Sequence, residues 1–272
     1  NYSWVDRLWS ITPVFYVANY FIAAWFGGYG FSLRLFVMTV LVTIWGCRLT
    51  YNFYRKGGYN LKDEDYRWEF CRSVLPNPIH WHLFGFFFIA GYQHVLLFLI
   101  TMPAKTAYDA FVSGSAFGGF RFFDMIALLL FVGFLTLETI TDEQQWEFQS
   151  AKWAMIKKHG KSVSELSYPY NLGFCTTGMF TYSRHANFFG EFMQWWALYL
   201  FAVSASGDWV VGESLLGTIL LTLLFQGSTP LTEYITVQKY PLYTEYQKRV
   251  SMLIPWKDSG GLRSLAGLTK TQ

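Results

Sequence analysis

The chain has 272 residues and a net charge of +3, with charged side chains at 14% and aromatic ones at 21%. An average soluble domain carries about 25% charged residues, so a water-facing surface is hard to build from this set, and the abundance of Leu, Phe, Trp and Tyr excludes a disordered chain. So small a net charge argues against an electrostatic partner such as nucleic acid, and the widely separated Cys47, Cys71 and Cys175 suggest neither a disulfide framework nor a thiolate zinc site.

The first residues, Asn1 to Arg7, lack the apolar stretch and small-residue cleavage pattern of a secretory signal. Beyond them, six stretches with few ionisable side chains approach the roughly 20 helical residues that cross a hydrocarbon core about 30 Å thick. They run from Ile11 to Phe26, Phe31 to Phe53, Ile79 to Met102, Phe122 to Ile140, Phe188 to Ala205 and Val211 to Gln226. The first and last are short enough to suit a buried core helix instead. Loop charge gives a second test, since Lys and Arg collect on the cytosolic side of a bilayer. Six crossings put Arg55, Lys56, Lys62, Arg67 and Arg72 on one side, together with Lys152, Lys157, Lys158, Lys161 and Arg184. Lys239, Lys248, Arg249, Lys257, Arg263 and Lys270 join them, while the opposite side receives only Lys105 and Arg121. Both chain ends then lie on the basic face.

A backbone in lipid must satisfy its amides internally, and these runs lack the alternation of barrel strands, so helices remain. The expected fold is all-α, a multi-pass bundle of about six spans forming one membrane-embedded domain over residues 1–272. A soluble bundle of very apolar helices is the competing reading. Between the fourth and fifth spans, Asp142 to Ala186 is polar; the fourth helix is expected to continue past the interface, followed by a loop from about Gly160 to Phe180 that Pro169, Gly173 and Gly178 punctuate.

Charges inside spans need a partner, a wet pocket or a route to the interface. Arg34, near a helix start, is expected to snorkel to the headgroups. Arg48 has Trp45 and Tyr51 one turn to either side and Tyr54 one turn beyond, which describes either a ring-lined face for an anionic or flat ligand or an interfacial aromatic belt. Glu138 and Asp142 are one turn apart at the inner end of the fourth span, with Gln145 and Gln149 continuing their face, and Asn187 and Glu191 share a face at the start of the fifth. Two polar clusters at one membrane depth imply a pocket, unless both helix ends are simply solvated. The histidines do not form a metal set: His80 and His82 face apart, His94 is distant, His159 and His185 sit in different loops, and HExxH is absent. GxSxG, GxGxxG and GxxxxGKS are absent too.

At GMFTYSRHANFFGEFMQWW, Gly178 to Trp196, the sequence resembles the signature of the steroid 5-alpha-reductase C-terminal family. PLTEYITVQKYPLYTEYQKRVSMLIPW, Pro230 to Trp256, is similar to that family's closing segment. EDYRWEFCR (Glu64 to Arg72), WSITP (Trp9 to Pro13) and ETITDEQQWEFQSAK (Glu138 to Lys152) resemble its bacterial-type, largely uncharacterised branch. The signature region is 138–256.

The resemblance implies a helical membrane enzyme that takes NADPH from the cytosolic side and transfers hydride to a carbon–carbon double bond next to a carbonyl. Carried over by motif, Asn187 and Glu191 match cofactor-contacting residues, Tyr182 matches the motif's Tyr, Asp142 an Asp on the preceding helix, and Arg184 with His185 the SRH triplet. A carboxamide and a carboxylate can orient a nicotinamide amide, and nearby cations can balance phosphates. Two departures stand out: Trp45 occupies the place of a Tyr that polarises the substrate carbonyl, and Glu233 lies near a position where the steroid enzymes have His. The expected function is NADPH-dependent reduction of a lipid or steroid-like enone or enoyl substrate. Two alternatives are an S-adenosylmethionine-dependent lipid methyltransferase-like enzyme and a non-catalytic or lipid-binding subunit of a larger membrane complex. The expected partners are a lipid-soluble small molecule and membrane lipids. The resemblance favours the endoplasmic reticulum, with a mitochondrial or other organelle membrane as the alternative.

Overall fold

A computed structural model describes residues 4–62, 64–160 and 162–256; Asn1, Lys161, Lys257, Arg263 and Lys270 lie outside them. The described residues are helical, without strands, apart from one isolated bridge between Ser183 and Ser251. The helices are α1 (Trp4–Leu8), α2 (Thr12–Ala24), α3 (Leu33–Arg55), α4 (Tyr66–Val74), α5 (Pro78–Phe84), α6 (Gln93–Leu99), α7 (Met102–Val112), α8 (Phe122–His159), α9 (Ala186–Ser206), α10 (Gly212–Lys239) and α11 (Tyr243–Gln247). The protein is an all-α membrane bundle.

Among the described residues four helical stretches are long and apolar enough to cross a bilayer: Leu33–Arg55, Pro78–Val112, Phe122–His159 and Gly212–Lys239. Of the six expected spans, the second, third, fourth and sixth meet that length and hydropathy. In the first expected span α2 has only 13 helical residues, and the turn that follows ends the helix through Gly28 at φ 83°. In the fifth, α9 has the length, 21 residues, but Asn187, Glu191 and Gln194 lower its hydropathy. The third span overshoots its expected end at Met102, since Pro103 sits in the first turn of α7, where a missing amide hydrogen costs nothing. Lys105, expected in a loop, is therefore helical and pairs with Asp109 at 2.7 Å. At the long polar stretch, α8 continues to His159, and short turns with Gly173 and Gly178 at positive φ follow, as the sequence predicts.

The chain divides into two compact units. The first comprises Asn1–Val132 and Gln194–Leu223. Its helix starts are set by side-chain caps: Ser32 accepts from Leu35 N, Asp65 from Arg67 N and Asn77 from Ile79 N. Glycine permits two close approaches. A Cβ on Gly46 would lie 2.6 Å from the Ser10 carbonyl oxygen, and one on Gly217 would lie 2.4 Å from the Leu99 carbonyl.

Arg34 does not snorkel. It is 1% exposed, and its Nε and Nη2 donate to Asp124 Oδ1 and Oδ2, each at 2.8 Å. Its remaining donors reach the Phe117 and Gly119 carbonyls and Ser204. A bidentate pair with its other donors satisfied is the geometry in which burying two charges is tolerated. Around Arg48, Trp45 packs against Trp195, ring centroids 4.9 Å apart, while Tyr51 and Tyr54 are exposed, as the belt alternative has them.

The second unit comprises Gly133–Met193 and Leu224–Gln272. Leu172, Phe174, Tyr243, Tyr246 and Val250 form one buried cluster there. Phe148, Cys175 and Phe180 form another. All six site residues expected from sequence belong to this unit.

Replacing Arg34 by Leu strands Asp124 in a dry site and is expected to cost about 3–5 kcal/mol. The double variant Arg34→Leu, Asp124→Leu should recover much of that loss in a detergent unfolding titration. Equal loss in the single and double variants would contradict the pairing.

Candidate functional site

Within the second unit, the inner part of α8 meets the first turns of α9. The approach is close because residue 190 is glycine: a Cβ there would lie 2.9 Å from the Glu138 Cβ and 3.0 Å from the Phe134 carbonyl oxygen. Phe134 and Phe189 pack edge to face at 5.8 Å beside it. On this contact the Asn187 amide nitrogen donates to Asp142 Oδ1 at 3.0 Å. Glu138, Asp142 and Glu191 are 4%, 7% and 5% exposed, so the two acidic clusters are buried and not solvated helix ends.

One turn along α8 the fold is pinned again. The Gln144 side-chain oxygen accepts from Met179 N at 2.8 Å, and Gly178, at φ 64°, leaves room for that amide where a Cβ would stand 2.4 Å from it. This sets where the loop returns towards α9. The arrangement offers carboxylates as acceptors, and Asn187, having given its amide hydrogen to Asp142, keeps an amide oxygen for another donor. Such a set suits amide and hydroxyl hydrogens of a ligand.

Arg184 and His185 are placed differently. Arg184 Nε and Nη2 donate to Glu233 Oε1 and Oε2 at 2.6 and 3.0 Å, and Nη1 donates to the Gln247 carbonyl at 3.0 Å and to the Val250 carbonyl. His185 Nε2 also lies on Glu233 Oε1, at 3.0 Å. Gln247 Nε2 at 2.8 Å and the Tyr243 hydroxyl at 3.2 Å complete the shell of that carboxylate. Glu233 is itself 5% exposed, so the Arg184 guanidinium and the other donors around it are its compensation for burial.

The backbone repeats the tie. Arg184 N and His185 N donate to the Ser251 and Met252 carbonyls at 2.9 and 3.0 Å, and Trp256 N donates to the Tyr182 carbonyl at 3.1 Å. Burial, followed by the neighbouring Glu233 charge, raises the Tyr243 phenol above the ordinary tyrosine range. Burial likewise raises Tyr246, whose hydroxyl donates to the Phe180 carbonyl. Both tyrosines are therefore protonated donors at any physiological pH.

The six residues thus fall into two groups. Asp142, Asn187 and Glu191 lie where α8 and α9 meet; Arg184 and His185 clamp the segment 247–253 through Glu233. The Tyr182 side chain is exposed. Sequence reasoning misses Glu233 as a hub and registers it only as a departure from the family pattern. The available signal is a lone carboxylate between Leu231 and Tyr234, with Tyr243 and Gln247 one helical turn apart in α11. Among the described residues, no three His, Cys, Asp or Glu side chains could hold a metal ion.

Replacing Glu233 by Ala leaves the buried Arg184 guanidinium without a counter-charge, and is expected to cost about 3–5 kcal/mol. Limited proteolysis should then cut between residues 240 and 256 faster than in the wild type. An unchanged cleavage pattern and unfolding midpoint would contradict the clamp.

In comparison with known proteins, the model of a protein family of unknown function, DUF1295, matches residues 1–250. The chain is 39% identical over 271 residues to "Uncharacterized protein C594.04c" of Schizosaccharomyces pombe, covering 95% of this chain and 74% of that one. No solved structure matches. With an all-helical membrane fold and a family match running from its first residue through the Glu233 clamp, the chain belongs to the DUF1295 family.

Proposed function

We propose that this protein is an NADPH-dependent membrane reductase of a carbon–carbon double bond in a lipid-soluble enone or enoyl substrate. The observation that carries the reading is the Asn187–Asp142 hydrogen bond at 3.0 Å, on a helix contact that also buries Glu138 and Glu191. The resemblance of Gly178 to Trp196 to the steroid 5-alpha-reductase C-terminal family adds the cofactor, and an endoplasmic reticulum location goes with it.

The residues fit one end of the dinucleotide. The free oxygen of the Asn187 amide would take a hydrogen from the nicotinamide carboxamide, and the Glu191 carboxylate would take one from the carboxamide or a ribose hydroxyl. Asp142 holds Asn187 in the rotamer that presents this oxygen. NADPH, when bound, supplies a hydride. Arg184 does not fit as a phosphate ligand, because Glu233 and two backbone carbonyls occupy its guanidinium. It acts with His185 as a positioning residue that fixes the start of α9, and with it Asn187.

One observation favours a second reading, a non-catalytic membrane subunit: Trp45 is fully buried against Trp195 where the resemblance has a substrate-polarising Tyr. That reading removes the hydroxyl and fills its space.

Binding separates the two. Purified protein in detergent should bind NADPH saturably in a calorimetric titration and show no response to S-adenosylmethionine. Asn187→Ala and Glu191→Ala should each weaken binding about tenfold or more, the equivalent of one charge-assisted hydrogen bond. Wild-type affinity in both variants would refute the site, and no binding by the wild type would favour the subunit reading.

A further inference from the structure

Lys152 on α8 is a buried lysine with no anionic partner among the described residues. It is 2% exposed, and its ammonium makes one hydrogen bond, to the Gly173 carbonyl at 2.8 Å. Rings supply the rest of its surroundings: Phe148 at 5.8 Å, Trp153 at 5.3 Å and Tyr240 at 5.6 Å from Nζ to centroid. A second ammonium, that of Lys239 at the end of α10, lies over two of the same rings, at 5.9 Å from Trp153 and 5.5 Å from Tyr240. Among the described residues neither lysine has a carboxylate partner. Gly173 is part of the construction, since at φ 83° it takes Tyr240 where a Cβ would lie 2.2 Å from the ring.

Two like charges sharing two aromatic faces repel each other, and cation–π attraction offsets only part of the cost of desolvating one of them. The other basic surface of this unit shows the contrast: there Glu245 lies 2.6 Å from Lys248 and 3.6 Å from Arg249. Among the described residues no such charge stands at Lys152 or Lys239, which leaves room for an anion from outside. Lys239 and Trp153 are exposed, which leaves the site open on one side. Its position sets the ligand chemistry. Lys152 lies on the C-terminal part of α8, whose last turn carries Lys157 and Lys158, and Lys239 is the last residue of α10; basic recesses near such helix ends take acidic headgroups. A phosphate offers several oxygens to two point-charge donors at once.

We propose that Lys152 and Lys239, bracketed by Trp153 and Tyr240, form a binding site for a phosphate group, carried either by an acidic phospholipid or by a nucleotide. The site does not depend on reduction being the activity.

The test uses the full chain and thermal unfolding at fixed ionic strength. Inorganic phosphate should raise the wild-type midpoint in detergent more than chloride does. Lys239→Gln, an exposed change that leaves the core intact, should weaken the apparent affinity about tenfold or more. Lys152→Met should do the same; because that change also breaks the bond to Gly173, Lys239→Gln alone decides should Lys152→Met fail to fold. Two arms identify the source. A shift in phosphatidylcholine nanodiscs on adding phosphatidylglycerol, lost in Lys239→Gln, assigns a lipid headgroup. A shift with adenosine 2′,5′-bisphosphate, lost in Lys239→Gln and kept in Glu191→Ala, assigns a nucleotide phosphate held apart from the α8–α9 contact. No shift above chloride with any of the three, or a full shift in Lys239→Gln, overturns the proposal.

Discussion

A carboxylate kept out of water requires neighbours that hold its charge, and in the second unit that requirement organises the chain around Glu233. Five donors from four residues converge on its two oxygens: two from Arg184 and one each from His185, Tyr243 and Gln247. The donors come from the segment before α9 and from α11, and the carboxylate from α10, so a single charge fixes where three parts of the sequence meet. Arg184 extends the tie to the carbonyls of Gln247 and Val250. The start of α9 is set by this network, and Asn187 and Glu191 follow two and six residues after His185.

The SRH triplet and the Asn and Glu that follow it therefore have separate tasks. The triplet anchors and Asn187 faces α8, where Gly190 allows the backbones close enough for Asn187 to reach Asp142. A short polar signature can be demanding at every position without every position touching a ligand. Arg34 and Asp124 do comparable work in the first unit, holding the turn at Phe117 and Gly119 against two helices. In both cases a guanidinium supplies a planar set of donors that a lysine could not. Lys152 is the exception that makes this rule informative, because it is buried with no carboxylate partner among the described residues.

Much of this is legible in the sequence because it rests on local chemistry. Helical spacing puts Glu138 with Asp142 and Asn187 with Glu191 on common faces, and loop glycines mark the end of α8 and the return to α9. The span count is less legible, since hydropathy does not register a positive-φ glycine at residue 28, and a count of ionisable side chains passes over Asn187 and Gln194 in α9. Partners far apart in sequence are invisible. Arg34 meets Asp124 across 90 positions and Arg184 meets Glu233 across 49, and nothing in either neighbourhood names the other. Arg34 read alone is a snorkelling residue and Arg184 read alone is a phosphate ligand. Each becomes a structural clamp only once its carboxylate is located.

If the α8–α9 contact receives the nicotinamide end of a dinucleotide, a density map of the protein in nanodiscs saturated with NADPH should show it there. The expected feature is a planar carboxamide within hydrogen-bonding distance of the Asn187 amide oxygen and the Glu191 carboxylate, with Arg184 still closed on Glu233. A dinucleotide lying elsewhere, or Arg184 swung away from Glu233 onto a phosphate, would refute that placement.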